Sequence, residues 1–226
     1  MRSTPEQAVH LTSSPLQLKD LPLFPLSSPL FPRGQLSLRL FEVRYLSMMR
    51  KCHEVGAPFG VVLLTQGAEV RKPGETEAFH DTGTLATIEA LSPIQSGLMH
   101  AQCTGVSRFR VLASHCLPSG LWVADVEQIT ADPFIVIPDD LRYVSDMLAT
   151  LARDLTASER LTWKPEEAQF DDCGWVANRW AELLPVKPEL KQGLMAMPSP
   201  LMRLELVGDI LDKLSIRRRA GTGSAD

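Results

Sequence analysis

Few residues in this 226-residue chain have the type and spacing to do chemistry. Two cysteines stand beside histidines, Cys52 with His53 and His115 with Cys116. Together with Cys103 they raise two options, a thiol nucleophile with an imidazole base or a zinc site. The spacing serves neither. Adjacent residues diverge around a helix and point to opposite faces of a strand, so no pair is preassembled as nucleophile and base. A zinc site drawn from both pairs and Cys103 lacks the short loop spacing of ordinary structural sites. The expectation is no metal, no cofactor and no catalytic residue, with Cys52, on an apolar stripe, as simple core.

Acidic pairs occur at Asp139-Asp140, Glu166-Glu167 and Asp171-Asp172, and Glu42 heads a predicted helix. Each falls at or near a helix start, where a carboxylate is favoured by the helix dipole and the exposed amides. Capping therefore explains them better than acid–base catalysis. Arg108 and Arg110 share one strand face, opposite Ser107, Phe109 and Val111, and the ordinary reading of such a pair is a solvated outer face. An alternative is that Arg39, Arg44, Arg108 and Arg110 contact RNA phosphates. The net charge of −4 weighs against it. Arg217, Arg218 and Arg219 fall at a helix end, where cations complement the carbonyl terminus.

The elements that hold these residues divide in two. Leu21, Leu23 and Pro25 alternate with Pro22, Phe24 and Leu26, the period of a half-buried strand, and the prolines predict that it lies on a sheet edge. Pro32, Arg33 and Gly34 predict a turn in which the glycine supplies a positive φ. A second strand follows over Leu36 to Leu40, and then Phe41, Tyr45, Met48 and Cys52 recur at helical spacing. Residues 59–64 form a buried strand, and 66–81 an exposed excursion. Further strands are expected at 84–91, 98–104, 106–112 and 121–129, with Ser96-Gly97 and Ser119-Gly120 as turns. Residues 133–138 read as a linker. Beyond it the period is helical: Leu141, Val144, Leu148, Leu151 and Leu155 form one stripe, and Cys173, Val176, Trp180 and Leu183 another. Pro188 and Ser199-Pro200 mark two later helix starts, the second leading into Leu201, Leu204, Val207, Leu211 and Leu214.

Several of these segments have a familiar order. LPLFPL at 21–26, FPRGQLSLRLFEVRYLSMM at 31–49, PFGVVLL at 58–64, GTLATI at 83–88 and TGVSRFRV at 104–111 together resemble the amino-terminal substrate-recognition domain of Lon proteases, most of all its stand-alone bacterial version. The resemblance covers roughly residues 18–214. It implies an α+β fold, an N-terminal PUA-like β-barrel over 18–132 with the 41–54 helix packed on it, followed by a helical bundle subdomain over 138–216. Residues 1–17 and 217–226 are expected to be a disordered arm and tail. The resemblance also implies a module that binds unfolded or extended polypeptide segments, as an adaptor for a separate protease or as a holdase. Enzymatic activity is not expected. The chain has no GxxxxGK[ST] loop for an ATPase, and nothing in it resembles the serine and lysine context of Lon's proteolytic domain.

For such a module the residues to examine are apolar ones that a small barrel does not easily hide: Phe31 beside the Pro32 turn, Leu98 and Met99 after a turn, and Trp122 at a strand start. Hydrophobic residues make up 44% of the chain and charged residues 22%, the balance of an ordinary soluble protein. Four scattered cysteines suit a reducing compartment, the first residues lack the apolar core of a signal peptide, and no run is long enough to cross a bilayer. The expected location is the cytoplasm.

Overall fold

The computed structural model describes residues 15–70, 76–157 and 166–222, with 167, 168 and 215–222 as backbone alone. Six strands come first: β1 (Gln17–Leu26), β2 (Gln35–Leu40), β3 (Phe59–Gln66), β4 (Ala78–Gln95), β5 (Leu98–Cys116) and β6 (Trp122–Gln128), with helix α1 (Val43–Val55) between β2 and β3. Four helices follow, α2 (Arg142–Ala157), α3 (Cys173–Leu183), α4 (Pro188–Ala196) and α5 (Pro200–Thr222). Fourteen residues of the expected N-terminal arm, and the side chains of Arg217 to Arg219, lie outside the described residues.

The strands run in the order β2-β5-β4-β3-β1-β6, and a further pairing of β5 with β6 closes the sheet into a barrel. Closure depends on the length of β5. Its first part pairs with β2, from Met99 to Thr104, and its later part with β6, from Phe109 to Cys116. The sequence suggests two strands, 98–104 and 106–112, but the chain makes one of 19 residues because Gly105 continues the ladder. A side chain there is excluded by the loop that crosses it. A Cβ on Gly105 would meet the Phe31 carbonyl oxygen at 2.3 Å, while the Gly105 main chain bonds Arg33 and Gly34 at 2.7 and 2.9 Å.

The edge position expected for β1 is overturned. β1 is parallel to β3 on one side and antiparallel to β6 on the other, and both of its faces are buried. Phe24 and Leu26 join an apolar cluster with Leu38, Leu40, Phe59 and the α1 residues Tyr45, Met48, Met49 and Cys52, whereas Leu21 and Leu23 join Val62, Leu85, Phe109 and Val126. Pro22 is tolerated inside this sheet beside an irregularity: the register shifts between Leu18 and Leu21, where Asp20 has φ 52. The strand left at an edge is β2.

Local signals hold with corrections. Asp172 caps α3 by accepting from the Gly174 amide at 3.1 Å, and Ser199 Oγ accepts from the Met202 amide at 3.3 Å at the start of α5. Glu42 stands at the N-cap of α1 with no side-chain cap bond, because its carboxylate takes Arg44 Nε at 3.0 Å instead. Phe41 precedes the helix and is 54% exposed, so it does not extend the α1 stripe. In the Pro32 turn the positive φ belongs to Arg33, at 61°, and not to Gly34. Gly34 is required for space, since a Cβ would lie 2.8 Å from the Phe31 carbonyl oxygen as well as 2.3 Å from Glu182 Oε1. The helices enclose a core of Val144, Leu148, Val176, Trp180, Leu204 and Val207, and Phe31, reaching in from the β1–β2 loop, is buried within it.

Candidate functional site

The sequence-suggested binding surface does not assemble. Phe31 is fully buried in the helical core, and Met99 is buried in the barrel, opposite Leu40. Trp122 is packed edge-on against Phe79, and its Nε1 donates to Glu77 Oε2 at 2.8 Å, so both the ring and its polar tip have partners within the fold. Leu98, the first residue of β5, is half-buried and paired with Gln95 at the end of β4. Phe31, Trp122 and the adjacent pair Leu98 and Met99 lie in three separate parts of the molecule.

The arginines also separate. Arg44 is buried, donating to Glu77 Oε1 at 3.2 Å and to the Gly120 carbonyl at 2.7 Å. Arg108 is 5% exposed, so the solvated outer face read for it is wrong. It donates to the Met197 carbonyl at 2.8 Å and pairs with Asp132, because the helices dock over this part of β5. Arg39 and Arg110 remain exposed. Arg39 is opposite His100 on β5, ten residues from Arg110 and so about 30 Å away along the strand, and Arg110 is opposite Glu127 on β6. The four do not form a basic stripe.

Three of the four thiols are buried and are poor nucleophiles, while Cys116 is exposed. Cys52 and Cys103 are in the barrel core and Cys173 in the helical core. Burial pushes Cys103 up to about 12 and, with Asp172 adding to it, Cys173 up to about 11. Among the described residues no cluster of three or more His, Cys, Asp or Glu could hold a metal ion, and no helix is long and apolar enough to cross a membrane.

A groove does form where β2 leaves the sheet. β2 pairs with β5 on one side, and on the other side its main-chain groups have no strand partner among the described residues. In β2, Leu38 and Leu40 are buried and Leu36 is half-buried, while Gln35, Ser37 and Arg39 are exposed, so the alternation presents two unlike faces. The groove beside this edge has a volume of about 470 Å³. One wall is the β1–β2 loop with Leu26, Pro29 and Leu30; the other is the end of α3 and the start of α4, with Glu182, Leu183 and Lys191.

That far wall is held firmly. Arg179 on α3 is fully buried and donates to the carbonyls of Arg33 and Pro32 at 2.8 and 2.9 Å and to Glu182 Oε1 at 2.8 Å. Lys191 Nζ donates to the Glu182 carbonyl at 2.8 Å. Burial pushes the Glu182 carboxyl up to about 7 against the opposing pull of Arg179 and Lys191, and it lowers Lys191 as well. The groove thus combines an unpaired strand edge, an apolar flank and titratable charge. Sequence reasoning missed Leu36, Glu182 and Lys191. The available signal was in QLSLRL itself, an alternating strand without the prolines of β1.

Known proteins share this architecture. A crystallised Lon N-terminal domain protein from Xanthomonas campestris is 28% identical, with a TM-score of 0.64 over 84% of this chain and 97% of that one. The N-terminal domain of a Mycobacterium avium complex Lon protease is 15% identical, with a TM-score of 0.53 over 85% of this chain and 97% of that one, a likeness of fold alone. The family model described as the ATP-dependent protease La (LON) substrate-binding domain matches residues 20–213. The chain belongs to the LON substrate-binding domain family.

Proposed function

We propose that the protein is a non-enzymatic recognition module that takes extended segments of other proteins into the groove beside β2. The observation that supports this most is the unpaired edge of β2 facing that groove. An extended segment laid along it gains main-chain hydrogen bonds, and its alternate side chains fall on the Leu36 and Leu38 flank and on the Gln35 and Ser37 flank. Four to six residues fit, because β2 has six and rises about 3.3 Å per residue. Selectivity is therefore for an apolar residue at every second position rather than for one sequence. A contact this small grips weakly, which suits transient holding or handing of clients to a separate protease.

The RNA reading loses support, because Arg44 and Arg108 are committed to internal partners and Arg110 lies opposite Glu127. A thiol-based activity at Cys103 or Cys173 is disfavoured by the raised pKa of these buried groups.

The test uses a labelled octapeptide with apolar residues at alternate positions and the same peptide N-methylated at every second amide. Fluorescence anisotropy should show the parent binding and the methylated form losing about tenfold or more, the worth of one to two lost hydrogen bonds. Leu36→Glu should weaken the parent to a similar degree. Equal binding of both peptides would exclude strand addition. An adaptor is distinguished from a holdase by whether adding the protein to a client and a protease speeds or slows degradation of the client.

A further inference from the structure

A cavity lies at the seam between barrel and helices, lined by none of the residues of the β2 groove. β5 leaves β2 after Thr104 and does not meet β6 until Phe109. In that interval the Arg33–Gly34 turn bonds Gly105, and the first turns of α3 face Val106 and Ser107. The cavity formed there has a volume of about 160 Å³, the share that about five waters take in the liquid. Its walls come from both layers: Arg33, Val106 and Ser107 from the barrel, Asp132 from the connection, and Trp175 and Asn178 from α3.

Its donors and acceptors are not balanced. Asn178 is 5% exposed, and the contact with Arg203 fixes which way its amide points: a guanidinium has only donors, so the atom that meets Arg203 Nη1 at 2.9 Å is Oδ1. The other arm, Nδ2, carries two N–H donors and has no hydrogen-bond partner among the described residues. Ser107, also buried, accepts from Gln128 Nε2 at 2.8 Å and keeps its hydroxyl proton to give. The Arg33 guanidinium, exposed at the mouth, has no hydrogen-bond or ion-pair partner among the described residues either. The acceptors, by contrast, are engaged. Asp132 takes a guanidinium on each carboxylate oxygen, and Asp172 takes the Gly174 amide. A buried donor without an acceptor is costly, so what enters this cavity must bring acceptor atoms. The rest of the wall, with Pro32, Val106 and Trp175, is apolar and suits a short hydrocarbon chain better than a fully hydrated inorganic ion.

We infer that this cavity binds a small organic carboxylate, its oxygens taking Asn178 Nδ2 and Ser107 Oγ, the Arg33 guanidinium pairing with it from the mouth, and its short carbon chain lying against Val106 and Trp175. Such a ligand touches both layers at once and is held only where they meet, so binding stabilises the docked arrangement of helices on barrel. Pro32 and Arg33, whose carbonyls anchor Arg179, are part of the same wall. The site does not depend on the strand-edge reading, and a client segment and a small acid can be bound together.

The probe is sodium propionate, titrated into the nitrogen-15-labelled full chain beside its neutral twin propionamide and beside sodium chloride at equal ionic strength. Amide spectra are read at the Ser107 and Gly174 main chain and at the Asn178 side chain. Propionate should shift these signals saturably with a Kd of about a millimolar, propionamide should bind roughly tenfold more weakly, and chloride should give no saturation. Asn178→Asp keeps the oxygen that takes Arg203 and replaces the two free donors by a repelling oxygen. It should weaken propionate about tenfold or more without lowering the melting temperature measured in its absence. Val106→Trp, at an exposed strand position, fills the mouth and should abolish the shifts whatever Asn178→Asp does to folding. The proposal is overturned if propionate gives no saturable shift, if propionamide binds equally well, if inorganic phosphate at the same concentration displaces propionate, or if neither variant changes the titration.

Discussion

The interior of the barrel and the seam between barrel and helices are made of different materials. Inside the barrel, Leu23, Phe24, Phe59, Val61 and Phe109 pack at 7% exposure or less, held by strand ladders that close on themselves. At the seam the buried residues include three arginines, Arg108, Arg179 and Arg203, at 5%, 0% and 1% exposure. Two of the guanidinium groups reach main-chain carbonyls across the divide, Arg179 those of Pro32 and Arg33 and Arg108 those of Met195 and Met197, while Arg203 reaches the Met197 carbonyl from within the helices. The Met195 and Met197 carbonyls are at the end of α4, where a helix leaves acceptors unused and favours positive charge. Asp132 answers two of the cations, with one carboxylate oxygen to Arg108 and the other to Arg203. Apolar packing fills volume but is indifferent to small rotations, whereas a fork of N–H groups aimed at fixed carbonyls is not. The seam therefore sets how the α3–α4 wall stands over β2.

The largest test of this contrast is Asp132→Ala. It leaves two buried guanidinium groups without a counter-charge and should cost roughly 3–5 kcal/mol in denaturant unfolding. Hydrogen exchange should show α3, α4 and α5 losing protection while β3, β4 and β5 keep theirs, since barrel closure does not use Asp132. Uniform loss across both regions would mean that the two fold as one unit and would break the comparison.

A smaller effect is expected from pH. Folding raises the Glu182 carboxyl from 4.5 to about 7, so between those values the folded chain holds a proton that the unfolded chain has released. The stability this contributes is full below about pH 4.5 and is lost as pH rises through about 7. Glu182→Gln should flatten the dependence between pH 5 and 8 by at most about 3 kcal/mol relative to the parent, measured as the difference between the two unfolding curves. A steeper dependence in the variant would contradict the assignment. The smallest effect belongs to Arg110, exposed on β5 and away from the seam, where Arg110→Ala should change stability by no more than about 0.5 kcal/mol. A cost near that of Asp132→Ala would show that the strand's arginines act as a set.

Much of the fold was written locally. The alternation of LSLRL, the stripes through Val144 and Leu148 and through Val176 and Trp180, the proline at the start of α4, and Asp172 and Ser199 at helix starts all act within a few residues, so a linear reading finds them. The same alternation could not say whether Arg108 faces water or a second layer, because both look polar from within the strand. Its fate depends on Asp132 and Met197, 24 and 89 residues further along the chain. Phe31 shows the converse: an apolar residue beside a turn is ambiguous until the helices supply a pocket for it.

By itself the sequence determined the period of each element, the turns between β4, β5 and β6, and the family to which those elements in that order belong. The tertiary structure decided which strand keeps an open edge, that Gly105 lets two short strands run as one, and that arginines bind the two layers. Strand order and burial are set by partners far away in the chain, through the closing of β5 onto β6 and the docking of helices on β5, and a periodicity of two or of 3.6 residues carries no record of those partners.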